Sequence, residues 1–210
     1  LYGLPYAVES VGMYYNKTLV PKPPTTWAEL EALCKKLTNK DKKQYGFVLP
    51  IPDPYHTFPI MSAAGGYVFG ANADGTLNPL DVGLNNKGAV RGLSLLDKLI
   101  EDGLMPAAID YNTMMGLFKE GKVGMMVTGP WALADIRAAK VPYGFTTIPT
   151  IDGQSPKPFV GVQGFMVSSF SKNKLLANAF LNEFIATPAT MKSLFDKDPR
   201  PPAYVPTAKA

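Results

Sequence analysis

Apolar residues recur along this chain with two different periods, and the alternation between them outlines its architecture. From Ala7 to Tyr15 the period is two, with Val8, Ser10, Gly12 and Tyr14 on one face. Glu9 shares the other face with Val11, Met13 and Tyr15, which predicts a strand carrying a carboxylate on an apolar side. Thr26-Trp27-Ala28-Glu29 is a capping-box pattern, in which hydroxyl and carboxylate each satisfy a backbone N–H at a helix start. Leu30, Leu33, Cys34 and Leu37 continue it at helical spacing. Gly46 to Leu49 predicts a short strand, and the proline-rich run from Pro50 to Pro54 a loop carrying Asp53, Tyr55 and His56. A short helix is then expected from Thr57 to Ala64, stopped by Gly65-Gly66.

Turn signals at Asn72-Ala73-Asp74-Gly75 predict a hairpin or excursion within Tyr67 to Gly83. Asn85 or Asn86 caps the next helix, whose apolar positions Ala89, Val90, Leu93, Leu96, Leu99 and Ile100 run up to Gly103. Asp110 caps another, with Met114, Leu117 and Phe118 inward and Gly121 as its stop. Lys122 to Thr128 predicts a strand that ends in Gly129-Pro130-Trp131, ahead of a helix from Ala132 to Lys140. Strands are expected at Tyr143 to Ile148 and Phe159 to Ser168, around the turn Asp152-Gly153-Gln154. Ser171 to Ala186 predicts an amphipathic helix through Leu175, Leu176, Ala179, Phe180 and Phe184, and the residues from Pro199 onward a linker or frayed end. Helices interleaved with strands predict an α/β layered architecture.

Composition narrows the classes. A chain of 210 residues that is 46% hydrophobic supplies the core of one or two domains without covalent staples. The formal charge of +4 comes from scattered residues, and its one short cluster, Lys40-Asp41-Lys42-Lys43, contains an acid, so a nucleic-acid stripe is not expected. Cys34 is the single cysteine, and its place in a helical stripe reads as a small core thiol. No apolar run reaches the roughly 18 residues of a membrane span, and no signal peptide pattern is present. The chain begins with Leu1 and reads as a mature segment or a cut piece.

Several chemistries lack their parts. His56 and Cys34 are alone of their kinds, too few for a zinc site, and no phosphate-binding loop, dinucleotide fingerprint or serine elbow is complete. Neither metal nor cofactor is expected. What remains suits carbohydrate, whose hydroxyl edges and apolar faces call for carboxylates and aromatic platforms: Glu9 and Asp53 with Tyr55, Trp131 and Tyr111. His56 is either a further sugar contact or a polar loop residue, and Trp131 either a platform or a plug of the strand–helix corner. Glu9 and Asp53 also allow a glycoside hydrolase pair, which needs carboxyls about 5–9.5 Å apart.

These residues sit in segments that resemble, in order, the maltose/maltodextrin-binding proteins of bacterial ABC importers. The segments are Leu4-Pro5-Tyr6-Ala7-Val8-Glu9-Ser10, Tyr14-Tyr15-Asn16-Lys17, Pro23-Pro24-Thr25-Thr26-Trp27, Pro54-Tyr55, Gly65-Gly66-Tyr67, Gly129-Pro130-Trp131 and Lys157-Pro158-Phe159-Val160-Gly161-Val162. The resemblance implies a non-enzymatic, bilobed receptor whose two α/β lobes close on maltose or maltodextrin and pass it to a membrane permease. It implies that Glu9, Asp53, Tyr55 and Trp131 line the sugar groove, with Tyr111 near it. Asp53 departs from the family glutamate by one methylene, and His56 stands where an aromatic ring is common; another oligosaccharide or polyol is therefore an open alternative. By the same resemblance, residues 7–160 form a ligand-binding lobe incomplete relative to the family. Residues 161–210 then supply a hinge strand, helices that pack on the other lobe and the proline-rich tail. A periplasmic or extracellular location follows, with a lipoprotein anchor among the options, and an uncovered 171–186 helix would promote self-association.

Overall fold

A computed structural model describes residues 3–208. In chain order its strands are β1 (Leu4–Glu9), β2 (Gly12–Asn16), β3 (Tyr45–Val48), β4 (Phe69–Ala71), β5 (Leu77–Val82), β6 (Val123–Thr128), β7 (Tyr143–Thr146) and β8 (Gly161–Phe165). The helices are α1 (Trp27–Leu37), α2 (Pro54–Ala63), α3 (Lys87–Glu101), α4 (Tyr111–Lys119), α5 (Leu133–Ala138), α6 (Lys174–Phe180), α7 (Pro188–Lys197) and α8 (Val205–Ala208). The fold is mixed α/β. Two compact units divide the chain: Val11–Thr128 with Ile136–Phe159, and Leu1–Ser10 with Gly129–Asp135 and Val160–Ala210. Among the described residues, no helix is long and apolar enough to cross a membrane.

The first of these units is organised around one sheet of order β3-β6-β2-β7. β3 runs parallel to β6, and β2 lies antiparallel to both β6 and β7. Every residue of β6 is buried, as the continuous run Val-Gly-Met-Met-Val-Thr requires of a central strand covered on both faces. α1 begins with the expected capping box, Thr26 accepting from the Glu29 amide while Glu29 accepts from the Thr26 amide. Its Leu30 and Cys34 are fully buried, and Trp27 meets Phe47 of β3 edge-on at 6.3 Å. Asn86 and Asp110 cap α3 and α4 as expected, each accepting from an amide three residues on. On α3 the inward residues are Ala89, Gly92, Leu96 and Leu99, whereas Val90 and Leu93 face solvent. Gly92 is the contact point with α2, because a Cβ there would stand 2.6 Å from the Met61 Cα.

Two expectations are corrected in the framework that carries the candidate residues. The run Ala7 to Tyr15 is not one strand: it breaks at Ser10–Val11, because β1 pairs with β8 while β2 pairs with β6 and β7. The segment after β3 is not a loop up to Thr57 either. α2 starts at Pro54, with Asp53 as its N-cap and proline in the first turn, where no N–H is needed. Residues from His56 to Ala63 are all buried, so α2 has no polar face and shows little helical periodicity in its sequence.

In the second unit β1 and β8 form an antiparallel pair from Leu4↔Phe165 to Glu9↔Gly161, with a register shift between Pro5 and Ala7. The proline-rich tail is not frayed. Val8 donates to the Pro201 carbonyl at 2.8 Å and Ala203 to the Tyr6 carbonyl at 3.0 Å, so the tail runs along the β1 edge, a place where prolines are tolerated. α7, capped by Thr187 and burying Met191, was not legible in the apolar pattern. The expected 171–186 helix is shorter, running as α6 from Lys174 and then as a π-helical turn from Leu181 to Ile185. None of its residues is buried, and Leu175 is 89% exposed.

Burial pushes the Cys34 thiol up to about 12, with Glu31 adding to it, and burial, followed by Tyr143 and Tyr111, pushes the Tyr14 phenol up to about 12. Both groups hold protons in the folded chain that the unfolded chain releases near 9.0 and 10.0, so folding binds protons at high pH. Their contribution is complete below about pH 9 and is lost as pH rises toward about 12. Thermal melts between pH 8 and 11.5 should therefore show a falling Tm, with a shallower fall in Cys34→Ala and Tyr14→Phe. An alkaline limb of unchanged slope in both variants contradicts this.

Candidate functional site

The best-defined polar constellation grows from the first turn of α2. The Asp53 carboxylate accepts from the Tyr55 amide at 2.9 Å through Oδ1 and meets His56 Nδ1 at 2.7 Å through Oδ2. Its carbonyl accepts the His56 and Thr57 amides at 3.1 Å each, which fixes the turn from the backbone side. An ionised carboxylate only accepts, so Nδ1 carries the proton of that bond. The imidazole is 5% exposed whereas the Asp53 side chain is 41% exposed, so the donor lies inside and the acceptor faces outward. Tyr111 packs its ring 5.9 Å from the imidazole.

Tyr55 points its half-exposed ring onto an aromatic ladder. Phe159 stacks against Tyr55 at 5.8 Å and against Phe58, one turn further along α2, at 4.3 Å. The segment that brings Phe159 there is tied to α2 by Ser62, whose Oγ accepts the Lys157 amide at 2.9 Å and donates to the Pro59 carbonyl at 2.9 Å. Asp53, Tyr55, His56 and Tyr111 are thus assembled in one unit: a fixed acceptor beside a backed aromatic ring. Phe159 is a supporting residue that periodicity does not reveal, since it touches α2 across about a hundred residues of sequence.

Glu9 and Trp131 belong to the other unit. Glu9, at the end of β1, is 10% exposed and already partnered: Oε1 accepts from Gln163 Nε2 at 2.8 Å, and Oε2 is ion-paired with Arg200 Nη1. Arg200 also pairs through Nε with Asp198 at 2.6 Å. Burial alone would lower the Arg200 pKa, but bonds to Asp198 and Glu9 outweigh it and hold it above its ordinary value. Arg200 lies in the tail that the sequence marks only as a linker or frayed end. Trp131, in the 3-10 turn Pro130–Ala132 that precedes α5, is half-buried. Its ring lies on the backbone of Gly129: a Cβ at that position would stand 2.2 Å from Cζ3 of the indole. Gly129 is therefore needed for the close approach of the ring. Among the described residues, no cluster of three or more His, Cys, Asp or Glu side chains is arranged to hold a metal ion.

Comparison with known proteins gives this arrangement its context. A family model for bacterial extracellular solute-binding proteins matches residues 1–207, and the chain belongs to that family. It is 38% identical, over 97% of its length, to 49% of a galactooligosaccharide-binding protein of Bacillus subtilis. It is 33% identical, over 97% of its length, to 50% of a maltodextrin-binding protein of the same organism. A maltooligosaccharide ABC transporter solute-binding lipoprotein of Streptococcus pneumoniae is 33% identical, over 97% of this chain and 49% of that protein. The chain spans about half the length of the curated relatives it matches.

The Gly129 contact generates a direct check on the Trp131 geometry. In a Trp27→Phe background, where Trp131 is the only indole, Gly129→Ala should displace the ring and shift its fluorescence to the red. The overpacking should cost about 1–3 kcal/mol, read from chemical denaturation. An unchanged spectrum and an unchanged midpoint would mean that the ring does not rest on Gly129.

Proposed function

We propose that this chain is the oligosaccharide-binding component, or part of it, of a solute receptor that serves an ABC importer on the outer side of the membrane. The observation that carries this reading is the first turn of α2. There a carboxylate held by its own helix cap stands beside the Tyr55 ring, itself backed by Phe159. A sugar needs both an acceptor for its hydroxyls and a flat apolar surface for its C–H face. The names of the relatives, all of them binding proteins, support a non-enzymatic role. They also support two ligand classes, maltodextrins and galactooligosaccharides, of which we propose maltodextrins on the Gly-Pro-Trp and Pro-Tyr segments. Asp53, shorter than a glutamate, leaves the galactooligosaccharide reading as the second one.

In this reading Tyr55 supplies an apolar contact and Asp53 accepts from hydroxyls in one unit, and Trp131 and Glu9 carry the same two roles in the other. Burial of apolar area at about 25 cal/mol per Å² gives a stacked indole one to a few kcal/mol of binding. Calorimetric titration with maltotriose and with a galactosyl oligosaccharide tests this. Trp131→Ala and Tyr55→Ala should each weaken binding at least about tenfold, about 1.4 kcal/mol, while moving Tm by only a few degrees. Release of glucose from maltotriose by the parent chain would overturn the non-enzymatic reading; binding of neither sugar would overturn the receptor reading itself.

A further inference from the structure

His56 is the buried partner of Asp53. Its ring is 5% exposed and sits in the part of α2 where every residue is buried. A polar ring in such a place is costly unless it is hydrogen-bonded, and its Nδ1 bond goes to the outward-facing Asp53, 2.7 Å away. The bond joins a buried donor to an exposed acceptor. We propose that His56 is a positioning residue that holds the Asp53 carboxylate in one rotamer for a pair of neighbouring ligand hydroxyls. This rests on the oligosaccharide reading above and adds the residue that sets its polar geometry.

The arithmetic of lone pairs supports it. A carboxylate offers about four acceptor sites, one on each oxygen here being taken by the Tyr55 amide and the His56 imidazole. One site on each oxygen remains, on a side chain that is 41% exposed. Those two acceptors share one fixed plane, because the cap bond and the imidazole bond hold the carboxylate at two points. The ligand chemistry they suit is two donors on adjacent carbons, as in a pyranose diol. Without the imidazole, the carboxylate keeps its cap bond but regains rotation about the bond to its Cβ, and a ligand must then supply the ordering cost. An apolar residue at position 56 would fill the same buried space and leave Asp53 held at one point.

The test uses backbone amide NMR titration of the full chain with maltotriose and with a galactosyl oligosaccharide, since such spectra read millimolar affinity and report folding at the same time. His56→Phe should weaken binding about tenfold, whereas His56→Asn, whose amide can still donate to Asp53, should stay within about threefold of the parent. Asp53→Asn keeps a good helix cap, and adding His56→Phe to it should cost less than about twofold, because the imidazole acts through the carboxylate. Equal binding by His56→Phe and the parent overturns the proposal while leaving the sugar site standing. So does a His56→Asn variant as weak as His56→Phe, or an undiminished loss in the Asp53→Asn background. If His56→Phe fails to fold, the imidazole nitrogen spectrum of the parent decides: Nδ1 protonated and shifted by sugar supports the role, and a ring without a proton on Nδ1 overturns it. A parent chain whose spectrum responds to neither sugar overturns the receptor reading, and the positioning role falls with it.

Discussion

The complete burial of β6 is the constraint on which the larger unit depends. A strand covered on both faces must pair along both edges, and β6 does so with β3 on one side and β2 on the other. The parallel pairing with β3 makes both strands finish at the same end of the sheet. From β3 the chain leaves through Pro50 to Asp53 into α2, whose start is therefore positioned by the sheet rather than by a free loop. In open α/β sheets, strand ends of this kind are where polar groups meet ligands. The sheet from which α2 departs is itself rigidly packed, with Phe47, Met125 and Met126 fully buried.

Asp53 illustrates how one side chain can serve both folding and the proposed recognition. As an N-cap it stabilises α2, and the same bond restricts the carboxylate that a sugar would meet. Glu9 shows a different balance. Its charge is partly offset by Arg200, which it shares with Asp198, and its second oxygen is engaged by Gln163, so it enters any ligand contact as an acceptor held by the tail. A charge so placed favours hydrogen bonding to neutral hydroxyls over capture of a cation.

Much of the fold was legible because its signals are local. The Thr26 and Glu29 box, the Asn86 and Asp110 caps and the glycine stops at Gly65, Gly103 and Gly121 each depend on a few consecutive residues. The start of α2 was missed although Asp53-Pro54 is a capping pair, because a helix buried all round gives no apolar stripe to point to it. The division of β1 from β2 was missed because both halves keep the same alternation while choosing partners more than a hundred residues away. At the site, the aromatic and acidic residues were identifiable by type. The bonds that give them meaning were not: Asp53 to His56 looked like two loop residues, and Glu9 to Arg200 joins the two ends of the chain. The stripe on α6 was read correctly as apolar, but amphipathicity alone does not say what covers a face, and in this structure it is exposed.

The central claim is that the α2 turn, with its capped carboxylate and backed tyrosine, takes oligosaccharide. Hydrogen exchange followed by mass spectrometry, with and without saturating maltotriose, addresses it most directly because it locates binding without any substitution. The account predicts slower exchange in peptides spanning residues 50–58 and 157–160, with little change along α6. Unchanged exchange in both segments, in a chain shown by calorimetry to bind the sugar, would place the ligand elsewhere and contradict the account.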